Sequence, residues 1–135
     1  MLIVSSSRGT LVADSPTHRL EVLRNVEVIM PFVDTRSLDV IERLPGWYGR
    51  YFHSASMTFA HYDFKRGSSV HEHSHPQEEV YEVIEGELEV TIDGATQIAR
   101  AGLVAIVPSN VLHSVKALTD GRAIIVDYPV RRDFE

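Results

Sequence analysis

From Met57 onward apolar and polar residues alternate with a period of two, the spacing of strands that bury one face. Met57 to Phe64 is rich in strand formers and ends at Gly67. Val70 to His75, Val80 to Ile84 and Leu88 to Ile92 follow, the last running into Asp93-Gly94, a pair favoured in tight hairpin turns. Val104 to Val107, Leu112 to Lys116 and Ala123 to Tyr128 continue the series, with Thr119-Asp120-Gly121 as a further turn. Many short strands at regular spacing predict an all-β sandwich or barrel.

Upstream the pattern differs. Leu20 to Leu23 and Val26 to Ile29 are short strand-like stretches flanking Arg24-Asn25, readable as an arm or edge hairpin. From Ser37 to Leu44 the apolar Leu38, Ile41 and Leu44 recur every three residues; Ser37 can cap the start and Pro45-Gly46 can stop the run, which predicts one short helix. Trp47, Tyr48, Arg50, Tyr51 and His53 form an aromatic and basic cluster suited to closing a barrel mouth or to an interface. The chain therefore divides into an arm and short helix (1–56) packing on a barrel (57–128), with a tail (129–135), as one structural domain without internal repeats.

Composition narrows the class. A length of 135 residues is one domain's worth, and folding buries roughly two-thirds of the surface of the unfolded chain at this size. Hydrophobic residues make up 44% and charged residues 24%, which places the chain among ordinary globular proteins. The 13 Lys and Arg face 19 Asp and Glu, a net charge of −6 with no basic stripe, so nucleic acid is not an expected partner. No apolar run approaches a membrane span, and Met1 to Val4 lacks the basic flank of a signal peptide, which leaves a cytoplasmic location as the expectation. Without cysteine, any metal must be held by imidazole and carboxylate.

His71, His73 and His75 alternate, which on a strand places three imidazoles on one face. Glu79 lies four residues beyond His75, ahead of Gly86, and His113 follows Gly102, Pro108 and Asn110. The segment His71-Glu72-His73-Ser74-His75 also spells H-E-x-x-H, the zinc-protease signature. That chemistry needs a helix, and strand periodicity with Pro76 immediately after argues against one.

These residues resemble the cupin family. Its first motif runs Gly, five residues, His-x-His, three or four residues, Glu, six residues, Gly; Gly67, His73, His75, Glu79 and Gly86 fit every interval. Its second motif is matched by Gly102, Pro108 and His113, while Asn110 replaces the usual second Gly and Ala117 the usual Asn. Asn is the next most tolerant residue of positive φ, so the first departure is mild. The glycine anchors select His73 and His75 over His71 and His73, which would put Lys65 and Glu85 at the flanks. The resemblance, over about Met57 to Tyr128, implies a jelly-roll barrel (double-stranded β-helix) of the RmlC-like kind. It also implies one divalent transition metal ion (Fe, Mn, Ni, Co, Cu or Zn) on His73, His75, Glu79 and His113. His71 becomes a pocket-edge or surface residue. Cupins that have lost their metal usually show erosion at these four positions, and none is eroded here.

Strand parity nominates Phe59 and His61, Tyr81 and Val83, and Ile125 and Asp127 as pocket lining. Among them Asp127, Tyr81 and His61 carry groups for acid–base chemistry and are the candidate catalytic residues. The alternatives are core packing for Phe59, Tyr81 and Val83, and a rim pairing of Asp127 with Arg131 or Arg132. The tail from Asp127 to Phe134 looks like the endings of small cupins related to the pectin-degradation protein that linearises unsaturated uronates. In those an Asp, an aromatic residue and an Arg touch the sugar acid; here the Asp-to-Arg spacing is about two residues shorter, and Glu79 stands where that group typically has Gln.

Two function classes follow from the resemblance: a metal-dependent enzyme acting on a small oxygen-rich or anionic metabolite, sugar acids among them, by isomerase, lyase or dioxygenase chemistry, or a non-catalytic small-ligand binder or sensor. Cupins commonly form homodimers by packing sheets or exchanging N-terminal strands, a role that suits Leu20 to Ile29.

Overall fold

Strands with one buried face need a second sheet to cover that face. The computed structural model, which describes residues 31–134, provides it in two antiparallel sheets. The strands are β1 (Ile41–Leu44), β2 (Trp47–His53), β3 (Thr58–Phe64), β4 (Ser69–His73), β5 (Glu78–Glu85), β6 (Glu87–Ile92), β7 (Ala95–Arg100), β8 (Val104–Val107), β9 (His113–Ala117) and β10 (Gly121–Tyr128). One sheet has the order β1-β2-β3-β10-β5-β8 and the other β4-β9-β6-β7. This is the all-β architecture that the alternation predicts, in the jelly-roll form that the family resemblance implies. The strand-like stretches between Leu20 and Ile29 lie outside the described residues.

Alternation sets the inside of the barrel. Tyr81 and Val83 of β5, Leu88 and Val90 of β6, Val115 and Ala117 of β9, and Ala123 and Ile125 of β10 are all buried, with Trp47 and Phe64 closing the core. Trp47 packs edge-on against Tyr62 and tilted against Phe64, each at 5.5 Å between centroids. The Asp93-Gly94 pair has positive φ at both residues and joins β6 to β7, as its turn chemistry predicts. The strand β7, absent from the sequence reading, pairs with β6 from Ala95 to Arg100.

The short helix expected over Ser37 to Leu44 does not form. A 3-10 turn occupies Thr35–Ser37, with Asp34 rather than Ser37 as its cap, and Ile41–Leu44 is the edge strand β1. Pro45-Gly46 acts as a hairpin turn, with Gly46 at φ +83°, and brings Leu44 opposite Trp47. The physical reason is tertiary. Eight residues form too short a helix to overcome nucleation unaided, whereas pairing Ile41–Leu44 with β2 satisfies their backbone and packs Leu44 on the core. The aromatic cluster from Trp47 to His53 is therefore an interior strand of the sheet, with Trp47 inside, and the sheet begins ahead of Met57.

Gly86 shows why the first motif ends in glycine. Its φ is +84°, and a Cβ there would collide with the Asp120 carbonyl, because the β5-to-β6 connection passes against the 119–121 turn. Asn110 has φ +63°, in line with its tolerance for the conformation a second-motif glycine would take. Its N–H donates to the His75 carbonyl at 2.8 Å, tying the two motif loops together.

Candidate metal centre

At one end of the barrel the inward positions turn polar. Asp127 of β10 pairs with Glu79 of β5 on one side and Thr58 of β3 on the other, while His113 of β9 pairs with His73 of β4 in the facing sheet. A bulge between Val70 and His73 shifts the β4 register against β9 and brings the His73 and His113 rings to 4.3 Å. His75 follows in the loop after β4, 4.9 Å from His113 between ring centroids.

Each of the three rings is oriented in the same way. Nδ1 of His73 meets the His71 carbonyl at 2.7 Å, Nδ1 of His75 the Gln77 carbonyl at 3.0 Å, and Nδ1 of His113 the Val111 carbonyl at 2.9 Å. A carbonyl only accepts, so Nδ1 carries the proton and the neutral ring presents a lone pair at Nε2. One donor atom from each ring lies within 4.8 Å of the others; His75, Glu79 and Asp127 form a second group on the same criterion.

The interior atoms are left facing one another. His75 Nε2 lies 3.4 Å from Glu79 Oε2 and His113 Nε2 lies 3.4 Å from Glu79 Oε1. Four of the five residues of this polar core, all but His73, are buried, and His75 Nε2, His113 Nε2, Glu79 Oε1 and Asp127 Oδ1 have no hydrogen-bond partner. Buried acceptors that face acceptors are costly unless a proton or a cation lies between them. Three neutral imidazoles and a carboxylate are the donor set of a divalent transition metal, so these residues fit such an ion. The carbonyls that hold the rings are the supports that metal-ligating histidines usually have.

The charges are divided unevenly. Burial pushes the Glu79 carboxyl up, but His113, His75, Asp127 and Tyr81 around it outweigh burial and hold it well below the usual carboxylate range. Burial and the neighbouring Glu79 anion push Asp127 up to about 9, making it the protonated partner. Burial pushes the Tyr81 hydroxyl well above its ordinary value, and Glu79 adds to the shift. Burial also lowers His73; at His113 it acts the same way but is exceeded by Glu79 and the Val111 carbonyl, so that ring is raised. Arg131 reaches both carboxyls, at 3.6 Å from Glu79 and 3.9 Å from Asp127. The rim pairing of Asp127 with Arg131 is thus present, with Asp127 itself buried.

A cavity of about 290 Å³ opens above the cluster, bordered by His73, Glu79, Tyr81, Trp47, Arg43 and Arg131 among others. His71 borders it too, at the pocket edge. His61 does not. It sits on the outer face of the sheet, edge-on to Phe52 and bordering a separate outer groove with Arg50 and Arg122, so its assignment as an acid–base residue is corrected. Phe59 stacks on Phe52 on that same outer face. The parity assumed for β3 was off by one: Thr58, Ala60 and Phe64 are the buried positions. The H-E-x-x-H reading fails because His71 and His73 lie on a strand. Arg43, Tyr62 and Phe134 were missed as lining. Arg43 lay in the segment read as helix, and the tail's return over the barrel has no local signal.

Residues 60–129 match the sequence model of the Cupin domain, and the chain belongs to the cupin family. Among solved structures it is similar to an RmlC-like cupin from Shewanella frigidimarina at 25% identity and TM-score 0.73, covering 78% of this chain and 96% of that one. It is similar to KdgF from Halomonas sp. at 23% identity and TM-score 0.72, covering 77% and 97%. It also resembles Bacillus subtilis oxalate decarboxylase, described with Mn(II) centres, at 21% identity and TM-score 0.66, covering 76% of this chain and 30% of that one. A search of curated proteins returns no match. Among the described residues no helix is long and apolar enough to cross a membrane.

Proposed function

We propose that the chain is a metal-dependent cupin enzyme acting on a small anionic metabolite, with one divalent ion held by His73, His75, Glu79 and His113. The observation that carries this reading is the set of buried, partnerless acceptor atoms on His75, His113 and Glu79, converging beside a cavity with two arginines. A bound ion supplies Lewis acidity to an oxygen of the ligand. The chain's own residues orient and shield that chemistry. The Nδ1 contacts fix the three rings, Glu79 provides the negative charge, and Arg131 steadies Glu79. Tyr81 borders the cavity and sets its hydroxyl against Glu79, supporting the anion. Elemental analysis of protein expressed with each candidate metal, together with thermal stability with and without it, tests the centre. Metal-dependent turnover across a panel of sugar acids, keto acids and phenolics tests the enzyme, with loss of turnover expected in His113→Ala.

A second reading is a non-catalytic binder. It is favoured by the burial of Asp127, whose proton is committed to Glu79 and which does not border the cavity. Stoichiometric binding by calorimetry, with the ligand recovered unchanged, would support it over catalysis. We also infer a homodimer in the cytoplasm. The outer face of the larger sheet carries apolar side chains, with Ile106 at 59% and Val104 at 49% exposure on the edge strand β8. A monomeric mass by light scattering at micromolar concentration would refute it.

A further inference from the structure

The cavity's walls and rim have different chemistry. Its walls are apolar or aromatic, with Leu44, Val70 and Ile125 beside Trp47, Tyr62 and Tyr81. The tyrosine hydroxyls are partly engaged: Tyr62 accepts from Tyr51 at 2.8 Å, and Tyr81 lies against Glu79. The Trp47 indole N–H is buried without a partner, and Tyr62, which accepts from Tyr51, keeps its own O–H, so few donors on the wall are free to meet a ligand oxygen. A polyhydroxylated ligand would lose its hydration here and recover few hydrogen bonds, a penalty that accumulates with each hydroxyl.

The rim is cationic. Arg131 is matched by Asp133, with contacts at 3.2 and 2.7 Å, and by Glu79. Arg43 makes no close ion pair among the described residues, although its charge helps hold the Asp133 carboxyl low. Its Nη1 donates to the Asp133 carbonyl at 3.1 Å, and its guanidinium lies 4.6 Å from the centroids of both Tyr51 and Phe134. Among the described residues no carboxylate is in ion-pair reach of it. The aromatic rings hold its plane in place while leaving donors unused, the arrangement in which a guanidinium receives a carboxylate.

We propose that Arg43 anchors the carboxylate of a small acid whose body is apolar or aromatic rather than polyhydroxylated, lying against Trp47 with its far end toward the His cluster. The proposal rests on the reading of this cavity as the ligand site. Arg43 lies on β1, outside the span matched by the family model, so the family match says nothing of it. A volume of about 290 Å³ falls at the small end of ligand pockets and limits the acid to a compact one.

Trp47 is the sole tryptophan of the chain and reports on the cavity directly. Its fluorescence is titrated in the full-length protein, metal-free and metal-loaded, with benzoate, butyrate, galacturonate and benzyl alcohol. The expected result is saturable quenching by benzoate and butyrate, at least about tenfold weaker binding of galacturonate and benzyl alcohol, and weakening with added salt. Arg43→Gln should weaken benzoate about tenfold without changing benzyl alcohol, and Arg43→Lys should restore part of the loss. Both variants should keep the wild-type melting profile, since Arg43 is exposed on an edge strand. Galacturonate binding as tightly as benzoate overturns the ligand class, and an Arg43→Gln variant with unchanged benzoate affinity overturns the anchor. If metal binds normally but no acid perturbs Trp47, this proposal falls while the metal centre stands. If acids bind as expected but no metal does, the metal reading falls instead.

Discussion

The two ends of the barrel interior are built by the same strands and serve opposite purposes. Along β5 the inward residues run Glu79, Tyr81, Val83; along β10, Asp127, Ile125, Ala123; along β9, His113, Val115, Ala117. One end is satisfied by packing alone, with Leu88 opposite Ala117 and Val90 opposite Val115. The other holds buried polar atoms with no protein partner. Burial therefore means packing energy at the first end and unmet polar atoms that fit a cation at the second. The difference shows that a strand can change task within four residues when its direction carries it from core to mouth.

Leu88→Ala should break the comparison most strongly on the apolar side, costing about 2–5 kcal/mol by loss of transfer energy and a residual cavity, read by chemical denaturation. Metal affinity should stay near wild type. His113→Ala is the counterpart. Metal at a hundredfold excess over its dissociation constant stabilises a protein by about 2.7 kcal/mol, and this variant should show no such gain in thermal melts, while its metal-free stability changes less than that of Leu88→Ala.

Titration separates the ends further. Asp127 has its folded pKa raised, so the folded state holds the extra proton between about 4 and about 9, and that contribution to stability is lost as pH rises through this window. Glu79 is lowered, and its contribution is lost as pH falls below the ordinary carboxylate range. Asp127→Asn carries no titrating proton and should remove the alkaline slope of the metal-free protein. Relative to wild type it should gain about 1–2 kcal/mol between pH 5 and pH 8, well within the roughly 1.4 kcal/mol per unit that linkage allows. Leu88→Ala should keep the wild-type slope. The smallest effect is expected for Asn110→Gly, which should change stability by less than about 0.5 kcal/mol because positive φ already costs Asn little.

Much of the fold and of the centre was legible because each signal was local. Alternation in β3 to β6 and β8 to β10, the Asp93-Gly94 turn and the spacing from Gly67 to Gly86 depend on neighbours within a few residues. What failed depended on distant partners. The segment from Ser37 to Leu44 has helical spacing but pairs with β2. His61 was placed by a parity count whose starting face only the β2 and β10 pairings fix. Arg43 and Phe134 meet because Arg43 also contacts the Asp133 carbonyl, ninety positions away in sequence.

By itself, then, the sequence determined the residue types of the centre, their order and the strand period that carries them, since these follow from side-chain chemistry and backbone geometry at short range. Tertiary structure alone decided which rings face one another, which of two carboxyls keeps its proton, and that Arg43 stands beside two aromatic rings rather than a described carboxylate. Those outcomes depend on burial and on distances between strands far apart in the chain, quantities that a linear pattern does not contain.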